Sequence, residues 1–525
     1  MRAEIIRTYK SVHTWTGIVC GFVLFIAFYA GALTMFEETL SRWSSPPTRP
    51  ALSPLDRSPQ LIADTLASRP DARKEFTLHL REDEQVPARI TWTRGRGDRQ
   101  PWTADYADDG ALRIEQAKPS GMAQFIDHIH RTGGLPGNAE VTEFIMGLVS
   151  LAYAVALVSG TIVLLPSLVK DFFALRVGKN LKRMWLDAHN VIGIASLPFH
   201  IVIAVSAMVF GLHDQIYDLQ EKVVYNGNMA QIMKASSPNN AVKPDKRPAP
   251  MLPPQELLAR VRQFAPDFEP VSMQYRAPGT GGATVRVAGN DPRYMIRREG
   301  FLLISPVSGE IVDTTYFPGT QNTWTAPVSA AFALHFGTFG GEPVRWMYFV
   351  MGLGGALLFY TGNLLWIETR RKNARADGPV LQRRAAHWLA AATVGVCVGC
   401  VAALSAVIAA VKLAPGDWHM TVYYTVFVLC CGWAFWRGAA KAGSELLYFA
   451  AAATLLIPAS TLWQGWNGAG WQHSSGIDIG AVCGAVVLAM LARAARRRQL
   501  RGIADSVWAP AISNAAAVPA TQPAG

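Results

Sequence analysis

Long apolar runs alternate with long polar segments along this chain. A run of about 20 apolar residues is long enough to cross a bilayer as a helix. The pattern predicts eight such spans, at residues 14–36, 143–166, 187–211, 344–367, 386–411, 420–436, 446–463 and 476–494. Two long polar segments, 37–142 and 212–343, separate the first four spans. We therefore predict a mainly α-helical membrane protein of about eight transmembrane helices with two large insertions outside the membrane.

The distribution of basic residues predicts the orientation of these spans. Half of the 525 residues are hydrophobic and only 17% are charged, yet Lys and Arg collect at every second connection, as in "RAARRRQLR" after the last span. By the positive-inside rule, both termini are cytoplasmic and both insertions lie outside, in the periplasm of a bacterial inner membrane. The tail 495–525 is expected to be cytoplasmic and disordered. The net charge of +11 then reports topology, and we expect membrane lipid but no nucleic acid as a partner.

All six cysteines fall inside predicted spans. Disulfides that would stabilise the insertions are therefore excluded. The "CVGC" at 397–400 lies in an apolar run of small residues, which favours helix packing over redox chemistry. The chain contains no C-x-x-C-H, so covalent c-type haem is excluded as well.

Both insertions show the same order of parts. Each has a Pro-rich or polar linker, then a short helical pattern ("SPQLIADTLASRP" at 58–70, "PPQELLARVRQFAP" at 253–266), then alternating strand-like runs. Period-2 alternation between Gly and Pro turns predicts a small α+β domain in each of 37–142 and 212–343.

The spans around the insertions are repeated too. "HTWTG" at 13–17 parallels "HNVIG" at 189–193, and "HIHRTGGLP" at 128–136 parallels "HFGTFGGEP" at 335–343. The order of span, outside domain and span is thus present twice. Residues 386–494 lack the pattern and are predicted to be a separate module of four spans.

Histidines occupy corresponding positions in the two repeats. His13 and His189 lie at the cytoplasmic ends of the first and third spans, and His335 precedes the fourth on the outside. Its counterpart before the second span is His130 or His128. A pseudo-twofold arrangement of the repeats would bring the members of each pair face to face, with one pair near each membrane surface.

Two facing neutral imidazoles suit the axial positions of a b-type haem. Gly17 and Gly193 lie one helical turn after His13 and His189 and would leave room for the macrocycle. A d-block metal site is the alternative, although such a site usually adds carboxylate or Cys ligands. His200 shares a helix face with His189 near mid-bilayer, and ligation, a relay role and simple packing all stay open for it.

The stretches "YKSVHTWTGIVCGFVL", "IHRTGG", "LDAHNVIGIASLPFH" and "ALHFGTFGGEPVRWMYFVMGL" occur in this order. With the two PepSY-like insertions, residues 1–370 resemble the PepSY-associated transmembrane family, also called iron-regulated membrane proteins. The resemblance implies that His13, His130, His189 and His335 ligate two haem b groups. It also implies an inner-membrane ferric-siderophore reductase. It says nothing about residues 386–494.

The function expected from these patterns is outward electron transfer to a periplasmic ferric siderophore or other iron chelate, with release of iron(II). The chain has no G-x-G-x-x-G after a strand, so a separate donor is needed, either a quinol or a cytoplasmic reductase. The alternative function is a membrane-anchored PepSY module that binds peptides or restrains proteases without redox chemistry. A transporter is a further alternative, weakened by the few charges in the last four spans.

Overall fold

The computed structural model describes residues 3–45, 52–81, 88–95, 100–117, 120–169, 181–235, 237, 242–296, 299–323, 325–374, 383–414, 416–467, 475–501 and 507–509. In chain order, the helices are α1 (Ala3–Thr34), α2 (Glu37–Ser44), α3 (Ser58–Ser68), α4 (Met122–Thr132), α5 (Ala139–Leu164), α6 (Leu181–Ala195), α7 (Leu197–Gly211), α8 (His213–Gln220), α9 (Met229–Ala235), α10 (Pro254–Phe264), α11 (Thr325–Phe336), α12 (Gly341–Ala374), α13 (Arg384–Leu413), α14 (His419–Arg437), α15 (Ala439–Trp466) and α16 (Ser475–Arg501). A π-helical turn, Glu221–Tyr225, follows α8.

The membrane-spanning helices are fewer than the eight predicted. Within the described ranges, α1, α5, α12, α13, α15 and α16 are long and apolar enough to cross a membrane. A seventh span is present if α6 and α7, which are bent by 72°, count as one. The predicted sixth span, 420–436, falls in α14, where tyrosines and tryptophans interrupt the apolar run. The count of eight is therefore not confirmed.

Proline explains the bend inside the predicted third span. Pro198 lies in the first turn of α7, and the helical path breaks at Ser196. A proline within a continuous helix lacks the N–H donor and collides with the carbonyl four residues earlier, here that of Ile194. The chain therefore ends one helix at Ala195 and starts another.

A four-part bundle holds the first half of the protein together. Helix α1 packs against both α5 and α12, while α7 packs on α5 and α6 packs on α12. The shared core contains large apolar side chains from each part, among them Phe28, Tyr153 and Phe359. This arrangement relates the first span pair to the second by an approximate twofold, as the sequence repeat predicts.

The last four helices form a module around α13, which packs against α14, α15 and the bundle. Gly395 and Gly399 let α14 approach closely, since a Cβ at Gly399 would lie 2.9 Å from the Cβ of Cys430. The "CVGC" stretch thus lies at a tight helix crossing, and all six cysteines are free thiols. This agrees with the packing role predicted for it.

The two insertions share one antiparallel sheet. Its strands are β1 (Glu75–His79), β2 (Ile90–Trp92), β3 (Trp102–Tyr106), β4 (Leu112–Gln116), β5 (Glu269–Arg276), β6 (Thr284–Asn290), β7 (Gly300–Ile304) and β8 (Ile311–Asp313). Their order is β4-β3-β2-β1-β5-β6-β7-β8, so the halves meet where β1 pairs with β5. The sequence predicts two small domains, whereas the strands form a single eight-stranded sheet.

The seam between the halves is closed by aromatic packing. Phe76 on β1 and Tyr275 on β5 are direct cross-strand partners, and their rings stack 4.7 Å apart with an interplanar angle of 9°. Both side chains are 1% exposed, in a core that α3 and α10 cover from one side. This pair is the aromatic contact across the seam, and Leu78 and Met273 form a second buried apolar pair beside it.

Part of the predicted disordered tail is ordered. Residues 495–501 continue α16, and Trp508 donates its Nε1 hydrogen to Oε1 of Glu368 at 3.1 Å. Arg498 contacts the same carboxylate at 3.3 Å. Residues 502–506 and 510–525 of the tail lie outside the described part of the chain.

We expect Tyr275→Ala to destabilise the sheet by about 3–5 kcal/mol, because a large buried ring is lost. Tyr275→Phe is the matched control. The Tyr275 hydroxyl is buried without a hydrogen-bond partner, so its removal should change stability by less than about 1 kcal/mol. Thermal unfolding of the purified full-length protein, monitored by the protease sensitivity of the sheet, measures the stability change of both variants. Equal losses for the two variants would contradict a seam held by ring packing.

Candidate functional site

The structure brings four of the predicted histidines together as two pairs. The rings of His13 on α1 and His189 on α6 have centroids 6.1 Å apart. The rings of His130 on α4 and His335 on α11 have centroids 6.3 Å apart. We call the bundle end with His130 and His335 the sheet side, because both helices directly follow the sheet segments, and the opposite end the far side.

Two of these rings are held by backbone carbonyls of a neighbouring helix. The Nδ1 of His13 lies 2.8 Å from the carbonyl oxygen of Ala156 on α5. The Nδ1 of His130 lies 2.8 Å from the carbonyl oxygen of Ala27 on α1. A carbonyl oxygen only accepts, so each Nδ1 carries the hydrogen and donates it.

The other two rings reach the same state with help from hydroxyl groups. His189 Nδ1 lies 3.1 Å from the carbonyl oxygen of Leu358 and 3.2 Å from Oγ1 of Thr361. His335 Nδ1 lies 2.7 Å from Oγ of Ser206. Both hydroxyls also have an acceptor on their own helix, Leu358 for Thr361 and Val202 for Ser206. Each hydroxyl oxygen is then able to accept from the imidazole.

The common result is that Nδ1 of each of the four rings lies within hydrogen-bond distance of an oxygen on a neighbouring helix. A neutral imidazole with its hydrogen on Nδ1 has its lone pair on Nε2, which is the form that binds a metal ion. A hydrogen bond from the second ring nitrogen also orients a metal-bound imidazole and raises its basicity. All four rings remain partly exposed, so each keeps an accessible edge.

Glycines on the partner helices make room for two of the rings. A Cβ at Gly160 would lie 2.8 Å from the His13 ring, and one at Gly31 would lie 2.7 Å from the His130 ring. Gly362 lies beside His189 at the corresponding point, where a Cβ at 3.5 Å would be in ordinary contact. Each glycine follows the carbonyl that holds the ring by four residues, one helical turn. These glycines were not among the predicted site residues, although small residues inside apolar spans are a signal for close approach.

The fourth ring has a different support. Counted from the two H-x-x-x-G motifs, Gly31 corresponds to Ala207 in the second repeat. A methyl group at that point denies His335 the backbone approach that His130 makes, and the adjacent Ser206 hydroxyl takes over as acceptor. Ser206 was also missed from the sequence, where a lone serine in an apolar span has no distinctive pattern.

Left-handed glycines place the sheet-side pair. His130 lies in the last turn of α4, which ends at Gly133 with φ of 60°. His335 lies in the last turn of α11, which ends at Gly337, also with φ of 60°. A positive φ there is easily adopted only by glycine, and it turns the chain from the short helix into the next span.

The geometry distinguishes among the remaining predicted residues. His128 is on α4 too, but His130 is the residue that faces His335. Burial and the charge of Arg131 lower the pKa of His128.

On the far side, a Cβ at Gly17 would meet no atom within 4 Å, and one at Gly193 would lie 3.6 Å from a methyl carbon of Leu358. There is open space beside Gly17 and ordinary packing beside Gly193.

His200 lies between the two pairs and differs from them. It is fully buried, and Tyr153 OH lies 2.7 Å from its Nδ1. Its Nδ1 is therefore occupied by Tyr153, whereas its Nε2 is buried without a hydrogen-bond partner among the described residues. His200 does not face either histidine pair through a ring contact of the kind that joins their members.

The pairs suit a group that spans two imidazoles and brings its own remaining ligands. Two imidazoles on opposite sides of one metal ion, each at a bond length of about 2.0 Å, have ring centroids about 6 Å apart. The described residues contain no cluster of three or more His, Cys, Asp or Glu that could hold a bare metal ion. The four side chains thus fit the axial positions of haem better than a protein-only metal site.

Comparison with known proteins agrees with this architecture. A family model for the PepSY-associated TM region matches residues 10–369, which include the bundle, the sheet and all four paired histidines. The chain belongs to the PepSY-associated transmembrane family. A similar protein, an uncharacterized protein of Pseudomonas aeruginosa, is 25% identical over 304 residues, covering 54% of this chain and 70% of that protein. The family resemblance read from the sequence is therefore confirmed, and the family match ends before α13.

We expect Tyr153→Phe to destabilise this family member by about 1–3 kcal/mol, because it leaves the buried Nδ1 of His200 without a donor. Adding His200→Phe should recover part of that loss, since no polar nitrogen then remains in the apolar site. Thermal unfolding of the two variants and of His200→Phe alone forms a double-mutant cycle. Independent, additive effects would show that the hydrogen bond does not determine the stability of this layer.

Proposed function

We propose that this PepSY-associated protein holds two haem b groups, one at each histidine pair, and transfers electrons across the membrane to a ferric chelate. The observation that carries the proposal is the meeting of four histidine rings as two pairs at two ends of one bundle, each with its Nδ1 held by a neighbouring helix. Ala27, which holds His130, lies fourteen residues beyond His13 on α1. The two pairs are therefore separated by about 21 Å along that helix, much of the thickness of the hydrocarbon layer.

In such a protein, the haem groups and the surrounding residues would have different roles. The haem groups supply a reversible one-electron couple. The carbonyls of Ala156, Ala27 and Leu358 and the hydroxyl of Ser206 hold the ligating rings in one orientation, so little rearrangement accompanies a change of charge. The aromatic layer around His200 and Phe28 fills the space between the pairs and excludes water.

The sheet defines where the substrate is reduced. Helix α4, which carries His130, is the next helix after β4, and α11, which carries His335, is the next helix after β8. Thr338 donates to the carbonyl of Ile296 at 3.0 Å. A ferric chelate held there would lie next to the sheet-side pair, on the periplasmic face of a bacterial inner membrane. Iron(II) is bound less tightly than iron(III) by hard oxygen ligands, so one-electron reduction releases the metal.

The electron donor is a separate molecule in this proposal, a quinol or a cytoplasmic reductase that acts on the far side. The link of the PepSY-associated family to iron-regulated membrane proteins supports iron as the substrate. A PepSY module that binds peptides without redox chemistry is the alternative. It explains the sheet but gives no reason for four anchored imidazoles inside the bundle.

Purified protein from haem-replete cells should be red, with the sharp reduced bands of six-coordinate haem b and two haem groups per chain. Because both members of a pair bind one iron, His13→Ala and His189→Ala should lose the same haem and keep the other. His130→Ala and His335→Ala should lose the second. Pyridine haemochrome assays and optical spectra measure the content and the identity of the remaining haem.

His213→Ala is the matched control for these four variants. His213 also lies on a helix with Nδ1 against a carbonyl, that of Phe210, but its side chain is half exposed and unpaired with another histidine ring. It should keep both haem groups. A colourless wild-type preparation, or loss of different haem groups from His13→Ala and His189→Ala, would contradict the proposal.

Protein reduced by dithionite should be reoxidised when a ferric hydroxamate is added anaerobically, with iron(II) captured by ferrozine in equal amount. His130→Ala should slow this reaction strongly while far-side haem stays in place, since the sheet-side pair is next to the substrate. Stopped-flow absorbance of the haem band gives the rate. Fully loaded protein that no ferric chelate reoxidises would favour the binding-module function instead.

A further inference from the structure

One face of the eight-stranded sheet carries a row of polar side chains on its central strands, which ends on β7 at the buried Leu303. The apolar core under α3 and α10 uses alternate residues such as Leu78, Met273 and Val287. The residues between them project from the opposite face, because side chains alternate along a strand. Thr77, Gln274 and Arg286 are direct neighbours there, on the three central strands β1, β5 and β6. We call this surface the polar face.

Arg286 is in an unusual state on the polar face. Its guanidinium carbon lies 3.9 Å from the centre of the Phe301 ring. Its Nε is buried without a hydrogen-bond partner, and it forms no ion pair with any described residue. Burial lowers its pKa from the usual value. A buried N–H donor without an acceptor is costly, because its lost hydration is not replaced.

Nearby acidic groups do not replace that hydration. Glu75 accepts from Nε2 of Gln274 at 2.7 Å, and its other oxygen lies 3.8 Å from Nε of Arg276. It influences Arg286 only through the longer-range charge interaction, as Glu299 does. Arg293 of the same half shows the contrast, since it forms ion pairs with both Asp291 and Asp267.

A guanidinium with an unpaired N–H donor and a fixed orientation is suited to binding an oxyanion. The planar fork binds a carboxylate through two parallel hydrogen bonds, and stacking on Phe301 holds the plane in place before a ligand arrives. The position in the middle of the sheet, away from both edge strands, allows a ligand to contact both halves of the molecule.

We propose that Arg286 forms an anion subsite on the polar face and that its ligand is a ferric chelate with free carboxylates. This inference rests on the proposed function and names the charge class of its substrate. Neutral hydroxamate chelates would use other contacts on the sheet and would gain nothing from this arginine.

The test uses full-length protein in detergent and ferric citrate as the probe, with binding measured by isothermal titration calorimetry. Arg286→Gln should weaken binding at least about tenfold, as expected for loss of a charge-assisted pair. Arg276→Gln is the matched control. Arg276 is on the same face and in the adjacent strand, but its side chain is 51% exposed and next to Glu75, so its loss should matter less than twofold.

Two further measurements separate binding from folding and from general charge. Arg286→Gln should unfold at nearly the same temperature as the wild type, because the removed buried Nε–H has no hydrogen-bond partner in the described part of the chain. Binding of the neutral ferrichrome complex should be the same in all three proteins. Arg286→Lys should recover only part of the affinity for ferric citrate, since the point charge lacks the fork.

Several results would overturn the subsite. One is unchanged ferric citrate binding in Arg286→Gln, and another is an equal loss in Arg276→Gln. Iron-free citrate bound as tightly as ferric citrate, with the same dependence on Arg286, would overturn the chelate assignment. Ferric citrate binding can be measured without haem. If the protein contains haem but Arg286→Gln binds ferric citrate as the wild type does, the anion subsite is refuted and the reductase proposal is not. If the protein contains no haem but ferric citrate binding depends on Arg286, the reductase proposal is refuted and the anion subsite is not.

Discussion

The hydrogen bond from each histidine Nδ1 to the neighbouring helix is the interaction on which the bundle's chemistry depends. Without it, an imidazole inside a membrane span is free to rotate, change tautomer or take up a proton. With it, the ring is held in one orientation against the neighbouring helix. The same bond also sets the helix spacing, because a ring wedged against a carbonyl requires glycine one turn later, as at Gly160 and Gly31. The orientation of the histidine rings and the close packing of the helices therefore depend on the same hydrogen bonds.

Because the first half of the chain is duplicated, both histidine pairs are held by hydrogen bonds of this kind. The approximate twofold that pairs α1 and α5 with α6, α7 and α12 also relates strands β1–β4 to β5–β8. The repeats differ where one site uses Ser206 and the other a bare carbonyl. The equivalent histidines His130 and His335 therefore have different hydrogen-bond partners in the two repeats.

The sequence predicted what depends on local pattern or on repetition. Apolar length located most spans, and the repeated histidine motifs predicted which rings would meet. The single sheet was not predicted, because the pairing of Phe76 with Tyr275 joins residues that are nearly 200 positions apart and leaves no local signature. The supports of the rings were missed for the same reason: Leu358 holds His189 by a carbonyl that any residue supplies. The choice between His128 and His130 also required the geometry of α4 rather than the alignment of Gly-Gly motifs.

The seam between β1 and β5 has a consequence for biosynthesis. The ribosome completes β1 to β4 long before it reaches β5, and α5, α6 and α7 must enter the bilayer in between. During that interval the nascent first half has an unpaired strand edge at β1, with Phe76 uncovered. Such an edge is a template for pairing with other chains. The fold thus makes the emerging polypeptide dependent on protection outside the membrane until its own second half arrives.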